Sequence, residues 1–318
     1  MKKVVFTLLL LLLSPYIYNK VYAQESQTGY NFLRVPVSAH GAALGGDNIT
    51  IIEDDASLLF ANPALLSSVS DKTIAFNFMT YMKGAAIASA SFNRVVKERA
   101  SVAVAAQYVD YGTIKEMTAD NVQTGTFSAK DIALNAVFSY ELTERIVGGI
   151  TGKFITSYIG DYNSIAMGVD LGLNYYDPDR QWSLSAVARN LGGQLKAYDD
   201  KYEKMPIDVQ VGVSKRLSAA PIRFSATLVD LTHYDYRFIN HLAIGADVFL
   251  SKTIWAGVGY NFRRADEMKI MSNDEESSHL AGLSIGAGLQ LERFKLNMAY
   301  GKYHVSSSSF MVNLAYSL

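Results

Sequence analysis

Ile165-Ala166-Met167-Gly168-Val169-Asp170-Leu171-Gly172-Leu173-Asn174-Tyr175 alternates without a break. On an extended chain the Ile, Met, Val, Leu, Leu and Tyr share one face, and the Ala, Gly, Asp, Gly and Asn share the other. A slip of one residue would exchange the faces and put Asp170 among the apolar side chains. A strand of this length spans a bilayer when tilted. The pattern returns in Leu283, Ile285, Ala287, Leu289 and Leu291 against Ser284, Gly286, Gly288 and Gln290, and in Phe310, Val312, Leu314, Tyr316 and Leu318 against Met311, Asn313, Ala315 and Ser317.

Working outward from these segments, the alternation predicts fourteen strands. They cover 73–80, 84–93, 100–109, 127–140, 145–158, 164–176, 181–190, 206–216, 221–231, 239–250, 252–262, 280–291, 293–302 and 308–318. Connections after the even strands are tight, whereas 110–126, 191–205, 232–238 and 263–279 are long and polar. That sorting suits an all-β fold: a transmembrane antiparallel β-barrel with both termini in the periplasm, and a soluble sandwich has no reason to show it. Pro178, Pro206 and Pro221 lie in turns or at strand starts, where a missing N–H does no harm. Tyr108, Tyr111, Tyr140, Tyr158, Tyr175, Tyr176, Trp182, Tyr260, Tyr300 and Tyr303 cluster near strand ends, as interfacial girdles do.

Ahead of the barrel, Lys2 and Lys3 precede an apolar run from Val4 to Leu13, and Val21-Tyr22-Ala23 offers a cleavage site. Residues 1–23 therefore read as a signal peptide, 24–72 as a plug or hatch segment, and 73–318 as the barrel. Removing the leader leaves 26 basic residues against 30 acidic, a balance that gives no support to nucleic-acid binding. With no cysteine, disulfides and thiol chemistry are excluded.

Many in-strand charges share the inward parity: four acids, Asp131, Asp170, Asp208 and Asp247, and four bases, Lys153, Arg189, Arg223 and Lys295. A pore selecting by charge would carry one dominant sign, so the balance predicts ion pairs across a narrow or plugged lumen. The plug candidate contains a Gly- and Ala-rich stretch able to pack closely against a wall. Asp54-Asp55-Ala56-Ser57 follows it and reads as a helix start, which Asn62-Pro63-Ala64 would end.

Gly41-Ala42-Ala43-Leu44-Gly45-Gly46, then Asp54-Asp55-Ala56-Ser57, then Asn62-Pro63-Ala64-Leu65-Leu66 resembles the amino-terminal signature of the FadL-like outer-membrane proteins. Those are fourteen-stranded barrels with a luminal hatch. Within that superfamily, Tyr30-Asn31-Phe32-Leu33-Arg34-Val35-Pro36, the following Ser38-Ala39-His40 and Ile52-Glu53-Asp54-Asp55 look like the PorV/PorQ family of the type IX secretion system, most strongly over residues 28–70. The resemblance implies a non-enzymatic outer-membrane component of the attachment complex, docking PorZ, with PorU and PorV, where cargo is joined to lipopolysaccharide. A FadL-type transporter of hydrophobic or small solutes is the alternative.

For docking, the 191–205 loop is the better candidate, with Tyr198 and Tyr202 set among lysines and acids. The 263–279 loop, with Arg263 and Arg264, is the second. His40, His233, His241, His279 and His304 are isolated and lack metal-ligand spacing. No nucleophile elbow, phosphate loop, zinc helix or cofactor motif is present, so neither catalysis nor a cofactor is expected.

Overall fold

The computed structural model describes residues 28–272, 275–277 and 280–318, of which 270–272 and 275–277 are described by their backbone alone. The leader expected over 1–23 lies outside the described residues. Fourteen antiparallel strands close a barrel: β1 (Thr73–Thr80), β2 (Ala86–Lys97), β3 (Ala100–Met117), β4 (Gln123–Glu141), β5 (Ile146–Ile159), β6 (Tyr162–Asp177), β7 (Trp182–Lys196), β8 (Asp208–Arg216), β9 (Ile222–Leu228), β10 (Leu242–Phe249), β11 (Ile254–Asn261), β14 (Leu283–Gln290), β15 (Phe294–His304) and β16 (Ser307–Ser317). A small hairpin, β12 (Ile270–Ser272) and β13 (Glu275–Ser277), sits in the β11–β14 connection. Each strand pairs with its neighbour along the chain, and β1 pairs with β16, Thr73 opposite Ser317, so no edge is left open.

Alternation decides the faces as the sequence predicts. Met167, Leu171 and Leu173 are exposed on the outside of β6 while Asp170 is buried inside, and Phe310 and Leu314 point out of β16 while Met311 and Asn313 point in. Among the described residues no helix is long and apolar enough to cross a membrane, and the strands carry the apolar outer surface instead.

The fourteen predicted strands all exist, but several are longer than hydropathy suggests. The stretch 110–126, expected as a loop, is mostly paired chain, because β3 runs on to Met117 and β4 begins at Gln123, with Ile114 opposite Phe127. Beyond the lipid zone a strand needs only backbone pairing and β-formers such as Thr113, Thr124 and Thr126, so the apolar signal stops before the strand does. Likewise 191–196, expected as the start of a loop, completes β7.

Residues 28–72 line the barrel interior. At one end Gly29 donates to the Lys204 carbonyl (3.0 Å) and Gln194 Nε2 donates to the Tyr30 hydroxyl (3.0 Å), both in the region of the long β7–β8 connection. At the other end Leu318 donates to the Lys72 carbonyl (3.3 Å) beside the short turns. Leu318 lies at the short-turn end and Thr28, the first described residue, at the opposite one, because the segment threads the lumen lengthwise.

Within the segment, Ser38 caps a short helix, Ala39–Ala43, by accepting from Gly41 N (3.2 Å). Gly45 and Gly46 follow at φ +104° and +95°, a backbone region that explains glycine at both positions. Asp55 caps the turn Ala56–Phe60 by accepting from Ser57 N (2.9 Å), as the sequence suggests, although the turn is 3₁₀ rather than α. Asn62 not only follows that turn but starts the next, Pro63–Ser68, by accepting from Ala64 N (3.0 Å).

Candidate functional site

The segment can lie flat against the wall only where the wall lacks side chains. A Cβ on Gly259 of β11 would come within 2.1 Å of Gly45 N, and one on Gly149 of β5 within 2.4 Å of Ala64 N. Both inward glycines therefore mark close backbone contact with the segment. Around them the chain builds a charged cluster toward the short-turn end.

His40 is fully buried between two carboxylates, Nδ1 at 2.8 Å from Glu53 and Nε2 at 2.9 Å from Asp247. Arg223 binds the same two acids, reaching Glu53 Oε1 at 2.8 Å and Asp247 Oδ1 at 3.2 Å. Arg223 and Asp247 are register partners on β9 and β10, whereas His40 and Glu53 belong to the segment, so the cluster joins segment to wall. The indole of Trp255 stacks on the imidazole at 3.5 Å and 8°, and Gln290 Nε2 donates to Glu53 (3.1 Å). Lys295 pairs with Asp54, adding a second segment-to-wall bridge.

Burial opposes a charge on His40, but the Glu53 carboxylate and the hydrogen bond with Asp247 outweigh it and raise the imidazole pKa. Burial likewise opposes the charge on Glu53, yet His40 and Arg223 together hold its carboxyl far below the usual range. With His40 protonated, two cations balance two anions. The ligand atoms of His40, Glu53 and Asp247 lie within 4.8 Å of one another, but the Arg223 guanidinium already serves both acids, and His40 turns a different nitrogen to each. The trio reads as an ion-pair latch rather than a metal centre.

The remaining lumen charges also find partners. Lys153 meets Asp170 at 2.7 Å and Arg189 meets Asp208 at 3.0 Å, while Asp131 accepts from the Tyr111 hydroxyl (2.6 Å) and Ser157. The pairs expected across the lumen run instead between neighbouring strands or from wall to segment, Arg189 also lying 3.8 Å from Asp47, because the segment occupies the space between opposite walls. Tyr111 and Tyr303 were expected in the girdles, but both turn inward, Tyr303 donating to the Ala42 carbonyl (3.1 Å).

The docking residues fare unevenly. Tyr198 is half-buried and donates to Ser157, and burial pushes its hydroxyl pKa up, so it is part of the wall's interior rather than a free surface group. Tyr202 is 66 % exposed. Arg263 is committed to Asp230 and Glu267, each at 2.7 Å. Arg264 is buried over the Tyr303 ring and donates to the Ala281 and Gly282 carbonyls (3.0 and 2.8 Å). Both arginines close the barrel mouth and are not available to a partner. Sequence periodicity could not show this, since a charged residue in a loop looks the same whether it faces water or folds back.

A second feature lies on the outside. The outward faces of β1–β7 form a concave apolar recess of about 1140 Å³. Phe76, Val104, Leu134, Phe154 and Met167 supply its sides, and the small residues Ala136 and Gly152 open its floor. These share a register row, Val104 opposite Ala136 and Ala136 opposite Gly152. The recess escaped sequence reading because its residues come from seven strands.

No family model matches the chain, and no curated protein matches it. Among solved structures it is similar to the Pseudomonas putida toluene transporter TodX (14 % identity, TM-score 0.56, 88 % of this chain and 97 % of that one). It is also similar to a Pseudomonas aeruginosa FadL homologue (11 %, 0.55, 89 % and 99 %) and to the CymD monoaromatic hydrocarbon channel (15 %, 0.55, 89 % and 97 %). At these identities the likeness is one of fold: the chain has the closed fourteen-stranded barrel of the FadL-type proteins.

Proposed function

We propose that this protein is a non-enzymatic outer-membrane barrel that admits small hydrophobic solutes. The apolar recess on β1–β7 carries the reading. It exceeds an ordinary ligand pocket, roughly 300–1,000 Å³, and it faces the phase in which a hydrophobic solute dissolves. Asn135 and Lys153 border both this recess and an inner cavity, so one strand thickness separates lipid from lumen there. The fold is shared with proteins described as a toluene transporter and a monoaromatic hydrocarbon channel. The latched segment fills the lumen, so passage to the periplasm requires it to shift.

The attachment-complex reading, docking PorZ beside PorU and PorV, draws no support from these comparisons. Of the four residues offered for it only Tyr202 is freely exposed.

The test is uptake of a radiolabelled monoaromatic hydrocarbon by cells with an intact lipopolysaccharide leaflet, comparing the wild type with Gly152→Phe and Gly193→Phe combined. Filling the recess should lower uptake several-fold while the barrel stays heat-modifiable. Uptake equal to that of cells lacking the protein would reject the transporter. A mild-detergent pull-down that returned PorZ with PorU or PorV would then favour attachment.

A further inference from the structure

The recess on the outer wall has a shape as well as a volume. Apart from Leu195, its outward residues fall on two adjacent register rows that cross β1–β7 side by side. One row begins with Ile74 opposite Phe92 and ends with Val169 opposite Leu191, and the other begins with Phe76 opposite Ala90 and ends with Met167 opposite Gly193. Seven strands spaced about 4.8 Å apart give a band about 29 Å long, whereas two rows on one face lie only about 7 Å apart along the strands. The recess is therefore a trough running across the strands. Ala90, Ala106, Ala136 and Gly152 keep its floor low over four successive strands.

The trough also presents no charge. The polar residues on its border, Ser91, Asn135, Lys153 and Gln194, occupy inward positions between the outward ones. Their longer side chains are engaged inside the barrel: Lys153 Nζ meets Asp170 and the Asn190 Oδ1, each at 2.7 Å, and Gln194 Nε2 donates to the Tyr30 hydroxyl (3.0 Å) and to Ser164 (2.6 Å). A carboxylate laid in the trough would lose its water and gain no partner, which is costly. A single aromatic ring is accepted by a cavity of about 150 Å³, so it fills only a small part of a recess of about 1140 Å³.

We propose that the trough takes a long, uncharged hydrocarbon chain, an alkane or an isoprenoid, in preference to a single ring or a fatty acid. This rests on the transporter reading and names the solute class of the same site. A chain lying along the band covers both rows over many strands, and each methylene it places there leaves water.

The test is uptake of radiolabelled n-hexadecane, n-octane, toluene and palmitate by cells carrying the protein, each relative to cells lacking it. Hexadecane should exceed toluene and palmitate several-fold. Gly193→Phe fills one end of the trough alone, so it should lower hexadecane uptake several-fold and leave octane uptake within about twofold. Toluene or palmitate taken up as well as hexadecane overturns the solute class and leaves the transporter standing. A Gly193→Phe variant that slows octane and hexadecane alike also overturns it. Protein-dependent uptake of none of the four rejects the transporter and the solute class together. If the variant does not fold, the ranking of solutes in the wild type decides by itself.

Discussion

The two sides of the lumen hold the same segment by different means. On β9–β15 the contact is charged: His40, Glu53, Arg223 and Asp247 satisfy one another, Lys295 takes Asp54, and Gly259 brings backbone to backbone. On β3–β8 most charge pairs stay within the wall, Lys153 with Asp170 and Arg189 with Asp208, while Arg189 also lies 3.8 Å from Asp47 of the segment, Asn62 Nδ2 donates to the Leu173 carbonyl (3.4 Å) and Ser214 Oγ donates to the Thr50 carbonyl (3.4 Å). A buried ion cluster resists separation because each departing charge strands its partners. A neutral hydrogen bond is a weaker tie, worth about 0.5–1.5 kcal/mol net. The segment is thus tied by a charged cluster along one side and mainly by neutral hydrogen bonds and close packing along the other, the side that also carries the outer recess.

The strongest way to break this asymmetry is Arg223→Met, which leaves the Glu53 and Asp247 carboxylates without their shared cation. We expect a loss of about 3–5 kcal/mol, read as a fall in the urea midpoint for loss of the heat-modifiable band. Next, Gly259→Ala forces a methyl onto the Gly45 backbone and should cost about 1–3 kcal/mol. Gly193→Ala, whose methyl would point into open space, should leave the midpoint within about 0.5 kcal/mol.

Acidity sharpens the comparison further. The His40 pKa is raised in the folded protein, so the stability it contributes is complete below its ordinary value of about 6.5 and is lost as pH rises through the raised value. The unfolding midpoint should therefore fall on that alkaline side. In His40→Gln this dependence should disappear, and a variant that kept it would show that another group is responsible. A small effect is expected on the β3–β8 side, where Gln107→Met should change stability by less than about 1 kcal/mol, since it removes an amide nitrogen that has no hydrogen-bond partner in the protein. A loss as large as that of Arg223→Met would remove the distinction between the two sides.

Much of this was legible in the residues. Period-two alternation gave the strand count and the inward parity of Asp170, Arg223, Asp247 and Lys295, because lipid outside and polar groups inside leave no other register. Asp55 and Asn62 announced turn starts through their own side chains. The docking residues Tyr198, Arg263 and Arg264 were misjudged for a common reason. Each lies in or beside a connection, where periodicity is silent, and each folds back onto partners distant in sequence: Ser157, Asp230 and the 281–282 carbonyls.

By itself the sequence determined the barrel, its faces and the existence of a segment able to pack against glycines, since all of these follow from local alternation and side-chain size. Only the tertiary structure decided that His40 lies between Glu53 and Asp247, that the ion pairs run between neighbouring strands and from wall to segment, and that seven strands form one recess. Those facts depend on which residues closure of the barrel brings together, over separations as long as the 207 residues from His40 to Asp247, and no local pattern encodes a contact of that span.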